Sequence, residues 1–178
     1  MNPMDLIDAH YPANTKRRHI LEAHGRDVAD KALSIARRHP EMNLDFPFIE
    51  EAAILHDIGM FLCDAPNIDC HGKAAYICHG YLGADLVRQA GYPRHALVCE
   101  RHTGTGLSLS LIIEKNLPIP HREMRPISLE EQLICFADKF FGKLHLGKEK
   151  SIVHIHASLS RYSADSIDCF TQWCELFL

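Results

Sequence analysis

An all-α fold is predicted for this 178-residue chain by three observations. Apolar residues recur at helical spacing, capping residues precede those runs, and no segment sustains the period-2 alternation of a half-buried strand. A first helix starts at Asn14 or Thr15, carries Ile20, Ala23, Val28, Ala32, Leu33, Ile35 and Ala36 on its apolar side, and stops at His39-Pro40. Asp45 caps a second, with Pro47 in its first turn and its end near Ile58-Gly59. The stretch from Phe61 to Ile77 holds Pro66, Asn67 and Gly72 and reads as a loop with one helical turn. A third helix runs from His79 to Ala90-Gly91 and a fourth from Pro93 to about His102, where Thr103-Gly104-Thr105-Gly106 breaks it. Ser108 or Ser110 caps a short helix to Asn116, and Leu117 to His121 forms an extended loop. Ser128-x-x-Glu131 is a capping box ahead of a long helix through Leu133, Phe136, Phe140 and Phe141. Ser163 opens a last helix ending in Trp173, Leu176 and Phe177. No repeat, low-complexity tract or linker divides the chain. One domain is expected, its core over about residues 18–145 and the helix 163–177 docked on it.

Hydrophobic residues make up 47% of the chain and the net charge is −4. No basic stripe with interleaved aromatics is present, so duplex nucleic acid is not an expected partner. No apolar stretch approaches a membrane span, and Met1 to Asp5 lacks the basic start of a secretory signal, so a cytoplasmic protein is expected. A homodimer is compatible with this composition. The seven cysteines contain no Cys-x-x-Cys pair and read as small buried hydrophobes in a reducing compartment. Cys70-His71 and Cys78-His79 repeat at a spacing of eight, which matches no common zinc module. Thirteen histidines are the compositional anomaly, because histidine is the commonest metal ligand and general base.

Placed on these helices, the ligand-type residues are His24 in mid-helix, His56-Asp57 at the end of the second helix, His79 beginning the third, His102 ending the fourth, and Asp138 in mid-helix on the fifth. A lone helical histidine is ordinarily a hydrogen-bonded core or surface residue. Five helices each offering such a residue in an apolar context point instead to a shared cation, since a buried, unpaired Asp138 would cost several kcal/mol. Adjacent helical residues diverge by about 100°, so His56 and Asp57 can face one ion only where the helix is ending.

His56-Asp57-Ile58-Gly59 resembles the central motif of the HD superfamily of metal-dependent phosphohydrolases, and His24 … His56-Asp57 … Asp138 resembles its full signature. The resemblance covers about residues 18–145 and implies a bundle of helices with a metal site between core helices. His79 and His102, each 23 residues beyond the preceding histidine, resemble the branch with two adjacent metals. His79-Gly80-Tyr81-Leu82-Gly83-Ala84 and Arg101-His102-Thr103-Gly104 are similar to stretches of the bacterial diadenosine-tetraphosphate hydrolases of that superfamily. The implied metal ligands are His24, His56, Asp57, His79, His102 and Asp138, with His56 and Asp57 at the catalytic centre. The implied substrate is a small phosphorylated molecule, a nucleotide or a dinucleoside polyphosphate.

The chemistry of the residues agrees. Four neutral imidazoles and two carboxylates carry about −2 against +4 from two divalent ions, which suits a phosphate. Asp57 is the natural bridge, with His24, His56 and Asp138 on one ion and His79 and His102 on the other. A hydroxide shared by both ions would be aimed at phosphorus. Mixed nitrogen and oxygen donors favour one or two ions of Fe, Mn, Co or Zn over Mg.

Many relatives place lysine after the motif's glycine, where this chain has Met60. Lys139, Arg101, Arg26 and Lys73 are the candidate replacements for contact with substrate. Gly91-Tyr92-Pro93 precedes His102 and reads as a turn, unlike the extension of the cyclic-dinucleotide phosphodiesterases. Thr103-Gly104-Thr105-Gly106 follows no strand and so is not a P-loop, while His71, Tyr76 and Tyr81 are candidates to line a pocket. Two readings compete with the hydrolase: a mixed-valence di-iron oxygenase of the same superfamily, and a non-catalytic nucleotide-binding domain.

Overall fold

The computed structural model describes residues 2–160 and 163–178; Met1, Arg161 and Tyr162 lie outside the described residues. Thr15, rather than Asn14, caps α2 (Lys16–Arg38), its hydroxyl accepting from the Arg18 amide. Asp45 caps α3 (Phe46–Leu55) by accepting from the Phe48 amide at 3.1 Å. Both helices bury their apolar stripes against each other, and Gly25 lets them approach: a Cβ there would meet the Ile54 carbonyl oxygen at 2.9 Å. α4 (His79–Gln89) ends at Gly91, whose φ of +91° is the left-handed conformation that glycine adopts without penalty, and Pro93 opens α5 (Pro93–Arg101). Together these four helices, α6 (Leu109–Glu114) and α7 (Leu129–Asp138), with its Ser128–Glu131 capping box, enclose the core. α9 (Ala164–Phe177) closes it, Phe170, Trp173 and Phe177 clustering with Phe136 of α7.

Four features depart from expectation. An additional helix, α1 (Pro3–His10), is capped by Asn2, and Tyr11 just beyond it donates its buried hydroxyl to the Ile58 carbonyl at 2.8 Å. A second, α8 (Ile152–Leu159), is capped by Ser151 and buries Ile155 and Leu159. The segment 61–77 is folded rather than irregular. A 3-10 stretch from Ile58 to Leu62 leads into β1 (Asp64–Ala65), a 3-10 turn, and β2 (Cys70–His71), with Asp64 opposite His71. Finally, α7 stops at Asp138 and does not run to Phe141. The amides of Lys139, Phe140 and Phe141 bond to carbonyls only three residues back, tightening the chain into turns before Gly142. Asp138 is therefore the last residue of its helix, not a mid-helix one.

Gly59 is a contact point rather than a helix stop. It lies within the 3-10 stretch, and a Cβ there would fall 2.3 Å from the His79 carbonyl oxygen. Only a bare backbone lets the segment after Asp57 press against the first turn of α4. No helix among the described residues is long and apolar enough to cross a membrane.

Candidate metal centre

The cluster is built from helix ends. His56 is the C-cap of α3 and Asp57 follows it at φ −102°, ψ 9°, already out of the helix. That departure lets two adjacent side chains face one point. His79 is the first residue of α4, His102 the C-cap of α5, and Asp138 the end of α7; only His24 sits mid-helix, on α2. The C-termini of α3, α5 and α7 thus converge, each bringing the partial negative charge of its free carbonyls and favouring a cation between them.

Those ends also orient the imidazoles. The Nδ1 of His56 donates to Ala53 O (2.6 Å), that of His79 to Tyr76 O (2.6 Å) and that of His102 to Cys99 O (2.8 Å), always three residues back. A carbonyl only accepts, so Nδ1 carries a hydrogen in all three rings, and Nε2 is the atom each ring aims inward. His79 and His102 then bring their Nε2 atoms to 3.0 Å. Two lone pairs face each other there, an arrangement that calls for a cation.

Asp57, buried at 0% exposure, stands between two groups of rings. Its Oδ1 lies 3.2 Å from His79 Nε2 and 3.4 Å from His102 Nε2. Its Oδ2 lies 3.0 Å from His56 Nε2 and 3.3 Å from His24 Nε2. His24 Nε2 is also 3.0 Å from Asp138 Oδ1. These distances are short, yet both Asp57 oxygens, His56 Nε2 and His24 Nδ1 are sealed from solvent without an aligned hydrogen bond. Donor atoms from His24, His56 and Asp57, and again from Asp57, His79 and His102, fall within 4.8 Å of one another. Ligand-type atoms converging from both sides of one buried carboxylate fit divalent ions.

Titration behaviour separates the two groups. Burial opposes charge on His56, but the carboxylates of Asp57 and Asp138 outweigh it and pull the imidazole up to about 10. Burial, with His56 and His79 adding to it, pushes His102 down to about 4. Asp57 and Asp138 stay well below the usual carboxylate range despite burial, held there chiefly by His56 and Lys143 for the first and by Lys139 for the second. A pair of carboxylates that holds a proton on a buried imidazole demands positive charge nearby.

Of the lysine and arginine candidates, one reaches the cluster. Lys139 Nζ lies 2.8 Å from Asp138 Oδ2 and donates to His102 O at 3.2 Å. Arg101 pairs with Glu131 (2.8 Å), Arg26 with Glu50 on the surface (2.7 Å), and Lys73 is exposed. Met60 is wholly buried in the core. The second cation is Lys143, whose Nζ sits 2.6 Å from Asp57 Oδ2. Sequence reasoning missed it because the expected helix would have carried position 143 elsewhere; the signal was Gly142, a break directly before a lysine and four residues after Asp138. Tyr76 stacks on His79 (4.6 Å, 18°), Tyr81 is half-buried beside Cys78, and His71 is exposed near Asp69. All seven thiols are free, with Cys70 and Cys78 bonded to separate carbonyls, those of Ile68 and Pro118.

An uncharacterized protein of Methanocaldococcus jannaschii is 33% identical over 112 residues, covering 62% of this chain and 59% of that protein. The match thus spans less than two thirds of the relative's length. No solved structure matches the chain. The family model for the HD domain matches residues 19–141, which contain every residue of the cluster except Lys143. This chain belongs to the HD domain family.

Proposed function

We propose that the chain hydrolyses a small phosphorylated molecule, with His24, His56, Asp57 and Asp138 holding one divalent ion and Asp57, His79 and His102 a second. The observation that carries this reading is Asp57, whose two oxygens each face a separate set of imidazole nitrogens. Bound there, such ions supply Lewis acidity toward a phosphoryl oxygen and an acidified water. The protein's own residues do the rest. The three backbone carbonyls fix the ring tautomers, and the buried Asp57 keeps the two sets in register. Lys139 and Lys143 place two ammonium groups at the edge of the cluster, where they would meet the charge of a phosphate. Fe, Mn, Co and Zn suit the mixed donors better than Mg.

A direct test loads the purified protein with Mn²⁺ or Co²⁺ and follows phosphate release from phosphomonoesters, phosphodiesters and dinucleoside polyphosphates. Release that depends on the added metal is expected. Oxygen consumption by the iron-loaded protein, with no phosphate released from any ester, would replace this reading with the di-iron oxygenase one.

A further inference from the structure

Against the cluster lies a space of about 200 Å³, with His24, Asp138 and Lys139 in its wall. Much of the remaining wall comes from the chain beyond residue 141, where the family model ends: Lys143, Lys150 and, on α8, His154 and Ser158. α8 is seated by Ile155 and Leu159, both buried, which leaves His154 and Ser158 one turn apart along the lining face. Lys150 is held more firmly. Its amide donates to Phe140 O at 2.7 Å, and its ammonium donates to Phe141 O at 2.6 Å and Lys139 O at 3.4 Å. An ammonium has three N–H donors, so one is left for another acceptor. The three lysines are not balanced alike. Lys139 lies 2.8 Å from Asp138 and Lys143 lies 2.6 Å from Asp57, whereas Lys150 pairs with no carboxylate among the described residues. Burial and the like charges of Lys139 and Lys143 draw its pKa below the ordinary lysine value, against a raising pull from Asp138.

We infer that this space is a second anion subsite, in which Lys150, His154 and Ser158 hold an acidic group that the substrate carries in addition to the phosphate at the cluster. The inference rests on the phosphohydrolase reading and narrows it to compact substrates bearing two anions. A carboxylate or phosphate oxygen accepts from the spare Lys150 N–H, the His154 ring and the Ser158 hydroxyl together. It also supplies the counter-charge that Lys150 lacks, at a half-buried position where solvent and salt screen the attraction less than on an open surface. The bonds to Lys139 O and Phe141 O account for where the ammonium sits but leave its charge unbalanced. A volume of about 200 Å³ is below the roughly 300 Å³ at which pockets for drug-sized ligands begin, so the acidic group arrives on a short linker. Phe141, Ile155 and Leu159 give that linker an apolar wall. A neutral tail of the same length would gain only the apolar contact.

The test uses the manganese-loaded protein and three probes: phosphoglycolate, whose second anion is a carboxylate; propanediol bisphosphate, whose second anion is a phosphate; and propyl phosphate, whose tail is neutral. Affinity is measured by calorimetry for wild type, Lys150→Gln, His154→Ala and Lys148→Gln, with manganese content read in each so that a lost ion is not mistaken for a lost anion contact. Wild type should bind at least one two-anion probe about tenfold or more tightly than propyl phosphate, and which one it prefers identifies the second anion. Lys150→Gln should lower that ratio at least about tenfold. His154→Ala, at an exposed position, should lower it at least about threefold and carries the test if Lys150→Gln does not fold. Lys148→Gln, an exposed lysine outside the cavity, should leave the ratio unchanged. A preference that depends on Lys150 without phosphate release from any ester would keep the anion subsite and remove the hydrolase. Equal affinity for all three probes, no binding of any, a ratio unmoved by both cavity variants, or an equal fall in Lys148→Gln would overturn the subsite.

Discussion

The two halves of the cluster share Asp57 but differ in everything else. The half made by α2, α3 and α7 has two carboxylates, two imidazoles and the neighbouring ammoniums of Lys139 and Lys143. The half made by α4 and α5 has two imidazoles and only the Oδ1 of the shared carboxylate. The first is negative enough to hold a proton on His56, while the second pushes His102 toward neutrality. Two carboxylates against one shared oxygen should make the first half the tighter cation site and the second the more easily emptied one. Gly59 joins them physically, because it sets how closely the segment after Asp57 meets the start of α4.

Removing the shared carboxylate should have the largest effect. Asp57→Ala should lose both ions and more than about 100-fold in phosphate release, with helical content by circular dichroism unchanged. His79→Ala should separate the halves, retaining one ion and losing the other by elemental analysis. Unchanged occupancy would mean that the second half binds nothing. Gly59→Ala should destabilise the fold by about 1–3 kcal/mol in denaturant titration, because a methyl group 2.3 Å from a backbone oxygen forces α4 away. The same variant should weaken the second ion more than the first. The smallest signal is a proton. Near pH 7 an imidazole pulled up to about 10 is charged, so filling the first half should displace the His56 proton, whereas His102, near 4, has none to give. First-ion affinity should consequently rise about tenfold for each unit by which the pH is raised toward the His56 value, and calorimetry in buffers of different ionisation heat would read the proton released.

The six ligand-type residues were legible because each sits on or at the end of a helix marked by a capping residue, a proline or glycine boundary, or apolar spacing, with His56-Asp57 placed where a helix was already due to end. Asp138 was singled out although its helix was drawn too long, since an acid directly after the buried Phe136 and Ala137 marked it either way. Lys143 was not, because its place depends on tightened turns at residues 139–141 that no periodicity announces. The two-residue strands were likewise too short to show alternation. α1 and α8 had signals that were passed over: Asn2 before Pro3 is a cap followed by a favoured first residue, and Ser151 precedes Ile152, Ile155 and Leu159. The role of Gly59 was hidden for another reason, since close approach to the His79 carbonyl is a tertiary contact that looks in sequence like a helix stop.

The most direct test of a shared Asp57 between two unequal sites is the number of divalent ions per chain in wild-type protein titrated with Mn²⁺ at neutral pH. Two ions bound in sequence, the first more tightly, are predicted. A single ion at saturation, or two of equal affinity that both survive Asp57→Ala, would contradict it.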